Sequence, residues 1–171
     1  MKPLLKSILF IFIFWSHQAY STILSAQVGI DGLTCSMCSN SVERLLYKLD
    51  FVEEVKMDLN QNQATILFKK DKKVVISAIA QKVIDAGYSV RFLKALFTFD
   101  NLTVENNTKY ESEGDRYYFI VNDKKVLTGS TELTILGKQY VPKKEWYQWQ
   151  NKIAEVKKIN KTDKNSYFVT L

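Results

Sequence analysis

Apolar positions along the chain switch between a period of two and a period near 3.6, and each switch marks an element. Gln27-Val28-Gly29-Ile30-Asp31 is short and alternating, which predicts a first strand. Cys38, Val42, Leu45 and Leu49 then fall at spacings of 4, 3 and 4, with Leu46 beside them. That stripe predicts a helix, with Glu43, Arg44, Tyr47 and Lys48 pointing elsewhere. Val55, Met57 and Leu59 alternate with polar residues, Asn60-Gln61-Asn62 reads as a turn, and Ala64, Ile66 and Phe68 alternate on the way back. This is a predicted hairpin. Ile76, Ile79, Ala80, Val83 and Ile84 form a second helical stripe, stopped by Gly87, and Val90 and Phe92 resume the alternation. The order β-α-β-β-α-β over residues 27–93 predicts an α+β fold of ferredoxin-like type, its antiparallel strands covered on one face by two helices.

The phase of alternation changes near Lys94-Ala95: inward candidates are even-numbered before it and become Phe97 and Phe99 after it. A one-residue slip moves every side chain to the other face, so a bulge or domain boundary is expected there. Downstream, residues 97–104, 116–121, 124–127 and 132–136 are strand-like, with turns at 113–115, 122–123 and 128–130. Pro142 opens a helix on which Trp146, Trp149, Ile153 and Val156 share a face, and residues 167–169 read as a last strand. Residues 27–94 and 95–171 are therefore expected as two units. The second is small and β-rich with one amphipathic helix, and a partly open barrel is one arrangement of its strands.

The first 26 residues have the form of an export signal. Lys2 and Lys6 flank the start, residues 8–15 are an unbroken apolar run, and polar and small residues follow. This matches a charged n-region, an h-region of about 7–15 residues and a small-residue cleavage site. The run is far short of the ~20 residues a membrane span needs. Cleavage after Ala26 is expected, with Ala19 as the alternative, leaving no stable membrane span. The destination is the periplasm or the outside of the cell. Formal charge is +6, and loss of Lys2 and Lys6 lowers it to +4 among many acidic residues. No run of Lys and Arg interleaved with stacking aromatics is present, so nucleic acid is not an expected partner. The only histidine, His17, leaves with the signal, and Ser-His, Cys-His and His-zinc chemistry leaves with it.

What remains is Gly32-Leu33-Thr34-Cys35-Ser36-Met37-Cys38, which carries both cysteines of the chain on a loop between strand and helix. Cys38 falls near the N-terminus of the first helix, where free backbone N–H groups and the helix dipole favour an anion and lower a thiol pKa. Two thiolates at this spacing can pinch a soft ion in near-linear geometry, which suits Cu(I) or Hg(II). A structural zinc site needs four ligands, and the processed chain does not supply them. The same pair can instead close into a disulfide, which an exported location encourages.

This run, on a strand-to-helix loop within a βαββαβ unit, resembles the heavy-metal-associated domain of copper chaperones, copper-ATPase N-terminal modules and periplasmic mercuric-ion-binding proteins. The resemblance covers about residues 27–93. It implies Cys35 and Cys38 as metal ligands, with Leu33, Thr34 and Tyr88 supporting the loop. Leu33 takes the place of the buried Met or Leu that anchors the family's loop, and Tyr88 that of the aromatic or lysine found after the second helix. The sequence departs from the family in having Leu33 where Met is commoner, and in its C-terminal unit, absent from the simple chaperones.

The expected function is that of an exported metallochaperone, not an enzyme and without catalytic residues. It holds one Cu(I), with Hg(II) or another soft ion as the alternative, and exchanges it with a protein donor or acceptor. A thiol-disulfide oxidoreductase is the rival from another class. Against it stand the missing thioredoxin-like surround, the missing resolving cysteine, and prolines only at positions 3 and 142. A third reading makes the first unit structural and gives partner binding to the second.

Overall fold

The computed structural model describes residues 23–162 and 165–171. Most of the expected export segment, including Lys2, Lys6 and His17, lies outside the described residues. The elements run β1 (Ile23–Asp31), α1 (Ser36–Leu46), β2 (Val52–Asp58), β3 (Gln63–Phe68), α2 (Ile76–Asp85), β4 (Ser89–Val104), β5 (Lys109–Ser112), β6 (Asp115–Phe119), β7 (Lys125–Leu136), α3 (Lys143–Asn160) and β8 (Ser166–Thr170). All eight strands join one sheet in the order β2-β3-β1-β4-β7-β8-β6-β5. Every pairing is antiparallel except β6 with β8.

The first half is the βαββαβ unit that the apolar periods predict. Val28, Ile30, Ala64, Ile66 and Leu93 from the strands meet Val42, Leu46, Ile79 and Val83 from α1 and α2, all fully buried. Ile84, counted in the α2 stripe, is exposed at the helix end.

The second half does not stand apart. β4 is one 16-residue strand that runs through position 95, paired with β1 on one edge and β7 on the other. The phase change is real but sits earlier. Gly29 pairs with Phe92 and Ile30 with Val90, so Arg91 is the extra residue of a bulge. Leu93 rather than Phe92 therefore turns into the core. A second bulge at Asp100-Asn101 faces Thr128 of β7. Positive φ at Asn101 (52°) and Gly129 (67°) absorbs the extra residue, so the turn expected at 128–130 is a kink inside a continuous β7. Strand β5, four residues long, carries too few apolar positions to have been read from the sequence.

Beyond β4 the sheet curls on itself. Four steps separate β4 from β5, about 19 Å in a flat sheet. Yet the Phe99 ring lies 5.2 Å from that of Tyr110, and Phe97 lies 5.0 Å from Tyr117. The five strands β4, β7, β8, β6 and β5 thus form a half-open barrel around Phe97, Phe99, Tyr117 and Phe119. Burial pushes the Tyr117 hydroxyl far above the ordinary phenol range, with the Asp115 carboxylate adding to the effect. Two polar contacts tie the curl to the first half. Lys73 reaches the buried Asp115 carboxylate at 3.1 Å, and the Tyr167 hydroxyl donates to Ser77 Oγ at 3.3 Å. Alternate residues of the same strands, among them Tyr118, Leu136 and Phe168, with Ile120 just past β6, face the opposite side, where α3 covers them with Ile153 and Val156. Trp146 and Trp149 pack half-buried against that second cluster.

A core continuous from Val28 to Tyr167 predicts one cooperative transition for both halves. Phe97→Ala, which empties a fully buried site between β4 and β6, is expected to cost about 3–5 kcal/mol. Denaturant unfolding followed by near-UV dichroism and by tryptophan emission from α3 should shift by the same amount. Two separate transitions would show that the halves fold independently.

Candidate metal site

The thiol loop emerges from the end of β1 and turns directly into α1. Cys35 is the N-cap of α1, with extended backbone (φ −149°, ψ 158°), and its sulfur accepts the backbone N–H of Cys38 at 3.3 Å. Its carbonyl accepts from Cys38 N and Ser39 N at 3.1 and 3.2 Å. A cysteine therefore does the work usually done by Ser, Thr, Asp or Asn at this position, and its sulfur faces the positive end of the helix. The sequence assigns the helix-dipole effect to Cys38; the structure gives the direct N–H contact to Cys35. Cys38 is the third residue of the helix, half-buried against the core, whereas Cys35 is exposed. The two sulfurs are in direct contact as a disulfide, with Cα atoms 5.3 Å apart.

Three neighbours hold the loop. Leu33, 5% exposed, is buried in the main core just ahead of the cysteines. Tyr88 follows α2, which ends in a Schellman arrangement: Gly87 N–H donates to Ile84 O at 2.9 Å and Tyr88 N–H to Val83 O at 3.2 Å. Gly87 has φ +88°, which lets the chain reverse and lay Tyr88 beside Gly32 of the loop. The third neighbour is the β2–β3 turn, which the sequence does not connect to the site. With its amide assigned so that the nitrogen, rather than the oxygen, faces two carbonyls, Asn62 donates to Leu33 O at 2.9 Å and to Leu59 O at 3.2 Å. Its own carbonyl accepts from Ile30 N at 2.8 Å. Arg91, at the bulge of β4, donates to Gln61 O at 2.6 Å and lies 3.9 Å from Asp31. A sequence signal for Asn62 does exist, since asparagine in a tight turn favours the positive φ it adopts (48°), but the target of its side chain is a tertiary fact. Thr34 and Met37 are exposed on the loop; Met37 shows 77% of its surface to solvent and does not pack.

Among the described residues, no group of three or more His, Cys, Asp or Glu could hold a metal ion. The donor set at this loop is the sulfur pair.

Residues 27–89 match the family described as the heavy-metal-associated domain. Residues 27–89 are a heavy-metal-associated domain. The domain is related to copper chaperones and to the metal-binding domains of copper ATPases. The copper chaperone CopZ of Staphylococcus haemolyticus is 28% identical over 69 residues, 40% of this chain and all of the relative. Copper-transporting ATPase 1 of Rhizobium meliloti is 30% identical over 120 residues, 70% of this chain, and the chain spans only 14% of that ATPase's length. Among solved structures, a CopZ metallochaperone aligns at 27% identity over 39% of this chain and 97% of its own, with a TM-score of 0.36. No helix among the described residues is long and apolar enough to cross a membrane.

The difference in exposure predicts unequal thiols in the reduced protein. In Cys38→Ser the exposed Cys35 should be alkylated faster than the half-buried Cys38 in Cys35→Ser. Iodoacetamide labelling followed by mass spectrometry reads both rates, and equal rates would show that the two positions are equally accessible.

Proposed function

We propose that the heavy-metal-associated domain holds one Cu(I) ion between the Cys35 and Cys38 thiolates and passes it to a protein partner by ligand exchange. The observation that carries this reading is the capping contact. Cys35 accepts a backbone N–H at the helix N-terminus while Cys38 stands one turn on, so a thiolate pair is favoured without any third ligand. Soft sulfur donors in a set of two suit a soft monovalent ion, with Hg(II) as the rival cargo. The exposure of Cys35 leaves room for an incoming thiolate. In the exchange each new partner S–Cu bond replaces one to Cys35 or Cys38. The ion stays Cu(I), no electron moves, and each released thiolate takes up the proton that the partner's thiol gave up. The protein is a carrier in this reading and not an enzyme. Loading requires the dithiol, so the disulfide must first receive two electrons and two protons from an external dithiol or two thiols, which leave as a disulfide.

The direct contact of the two sulfurs favours a second reading, a CxxC dithiol that works as a redox pair. Anaerobic titration of the reduced protein with Cu(I) against a competing chelator separates the two. One equivalent is expected to bind in competition with the chelator and to be lost in Cys35→Ser/Cys38→Ser. Absence of competitive binding, together with a strongly oxidising dithiol potential, would overturn the carrier reading in favour of the redox one.

Export of the chain belongs to the same proposal, with a changed point of cleavage. β1 begins at Ile23, four residues ahead of the expected first strand. Ile23 and Ala26 are buried, and Ala26 pairs with Ile66 of β3 and Ala95 of β4. Cleavage after Ala26 would remove that part of the central strand, whereas cleavage after Ala19 keeps it whole. Mass spectrometry of the secreted protein should find its first residue ahead of Ile23. A first residue at Gln27 would overturn this placement.

A further inference from the structure

Because β7 runs antiparallel to β4, its C-terminal end arrives where β4 begins, beside Tyr88 and the thiol loop. The segment that follows β7 and the first turn of α3 therefore line the same end of the molecule as the metal site. A groove there is bounded by Asp31, Tyr88 and Ser89 on one side and by Lys138, Gln139 and Lys143 on the other. Lys138 and Lys143 also line a second concavity, which continues to Trp146 and Tyr147.

The charges of this surface are unbalanced. Among the described residues, Lys138, Lys143 and Lys144 have no carboxylate within 4.0 Å. Each nearby carboxylate already has company. Asp31 lies 3.9 Å from Arg91, Asp85 lies 3.6 Å from Lys82, and Glu145 accepts from the Trp149 indole at 3.4 Å. Helix stability does not account for Lys143 and Lys144, since cations in a first turn oppose the helix dipole, and the N-cap Pro142 makes no side-chain cap. Beside them Tyr147 is 55% exposed, a large ring with a polar tip of the kind that interfaces favour.

We propose that this cationic and aromatic flank docks an acidic surface of the protein that exchanges metal with the Cys35–Cys38 loop. The inference rests on the carrier reading for its purpose, while the docking itself is independent of the metal. Carboxylates of the partner would meet Lys138 and Lys143, an apolar group would sit against Trp146 and Tyr147, and Tyr88 would bring the contact to the loop. The C-terminal half thereby becomes a specificity element for the domain it extends.

The test uses the full chain, reduced and metal-free, and a two-thiol acceptor domain made in two forms. One form carries carboxylates around its thiols and the other carries the matching amides. Amide chemical shifts should move at Tyr88, Lys138, Lys143 and Trp146 with the acidic form. Affinity should fall at least ten-fold with the amide form, with added salt, and in Lys138→Glu/Lys143→Glu. Lys138→Gln/Lys143→Gln should fall between, with unchanged circular dichroism in both variants. Equal binding of the two acceptor forms, or shifts confined to other surfaces, would overturn the proposal. So would retention on phosphatidylglycerol vesicles without binding to the acidic acceptor, which would make the flank a membrane contact. Repeating the titration with Cys35→Ser/Cys38→Ser separates the two readings. Docking kept while the intact protein binds no Cu(I) refutes the carrier reading alone, and Cu(I) bound without docking refutes the flank alone.

Discussion

Both edges of β4 are satisfied by backbone hydrogen bonds, and the rest of the architecture follows from that. A bare edge strand is a row of unpaired N–H and C=O groups that must be covered or blunted. Here β1 takes one edge of β4 and β7 the other, so the βαββαβ unit is extended rather than followed by a separate body. The bulges at Arg91 and at Asp100-Asn101 increase the local twist and allow the added strands to curl. That curl packs a cluster of aromatic rings, Phe97, Phe99, Tyr110, Tyr117 and Tyr167, against one another. It also frees the opposite face of β6, β7 and β8 for α3.

The same arrangement determines where the thiol loop can point. Leu33 is sunk in the core, Asn62 holds the Leu33 carbonyl, and the Schellman end of α2 sets Tyr88 against Gly32. These contacts come from β1, the β2–β3 turn and the end of α2, three segments far apart in the chain. Cys35 is left at the junction, its sulfur on the helix N-terminus. The loop thus combines a rigid base at Leu33, one sulfur in contact with a backbone N–H, and an exposed Cys35.

Function can change without change at the loop itself. The βαββαβ unit carries the thiol pair, and the Lys138–Lys143 segment and α3 supply the chemistry of the surface beside it. Because β7 delivers that segment to the same end of the sheet, an extension distant in sequence becomes a neighbour of the thiol loop. In the proposed carrier, the added half would set partner choice while metal choice would stay with the two sulfurs.

The chain by itself determined the first half and the cysteine pair. Val28, Ile30, Val42, Ile66 and Ile79 declare their elements through period alone, because each period is imposed by the local geometry of strand or helix. Cys35 and Cys38 were legible since they are the only two thiols, three positions apart ahead of an amphipathic stripe. Leu33 and Tyr88 were found through family resemblance rather than through any pattern of their own. Only the tertiary structure decided the pairing of β4 with β7, the role of Arg91 as a bulge, the kink at Gly129, and the arrival of Asn62 and Lys138 at the site. Those are matters of register and of which edges meet. They depend on contacts between residues tens of positions apart, and no local period records them.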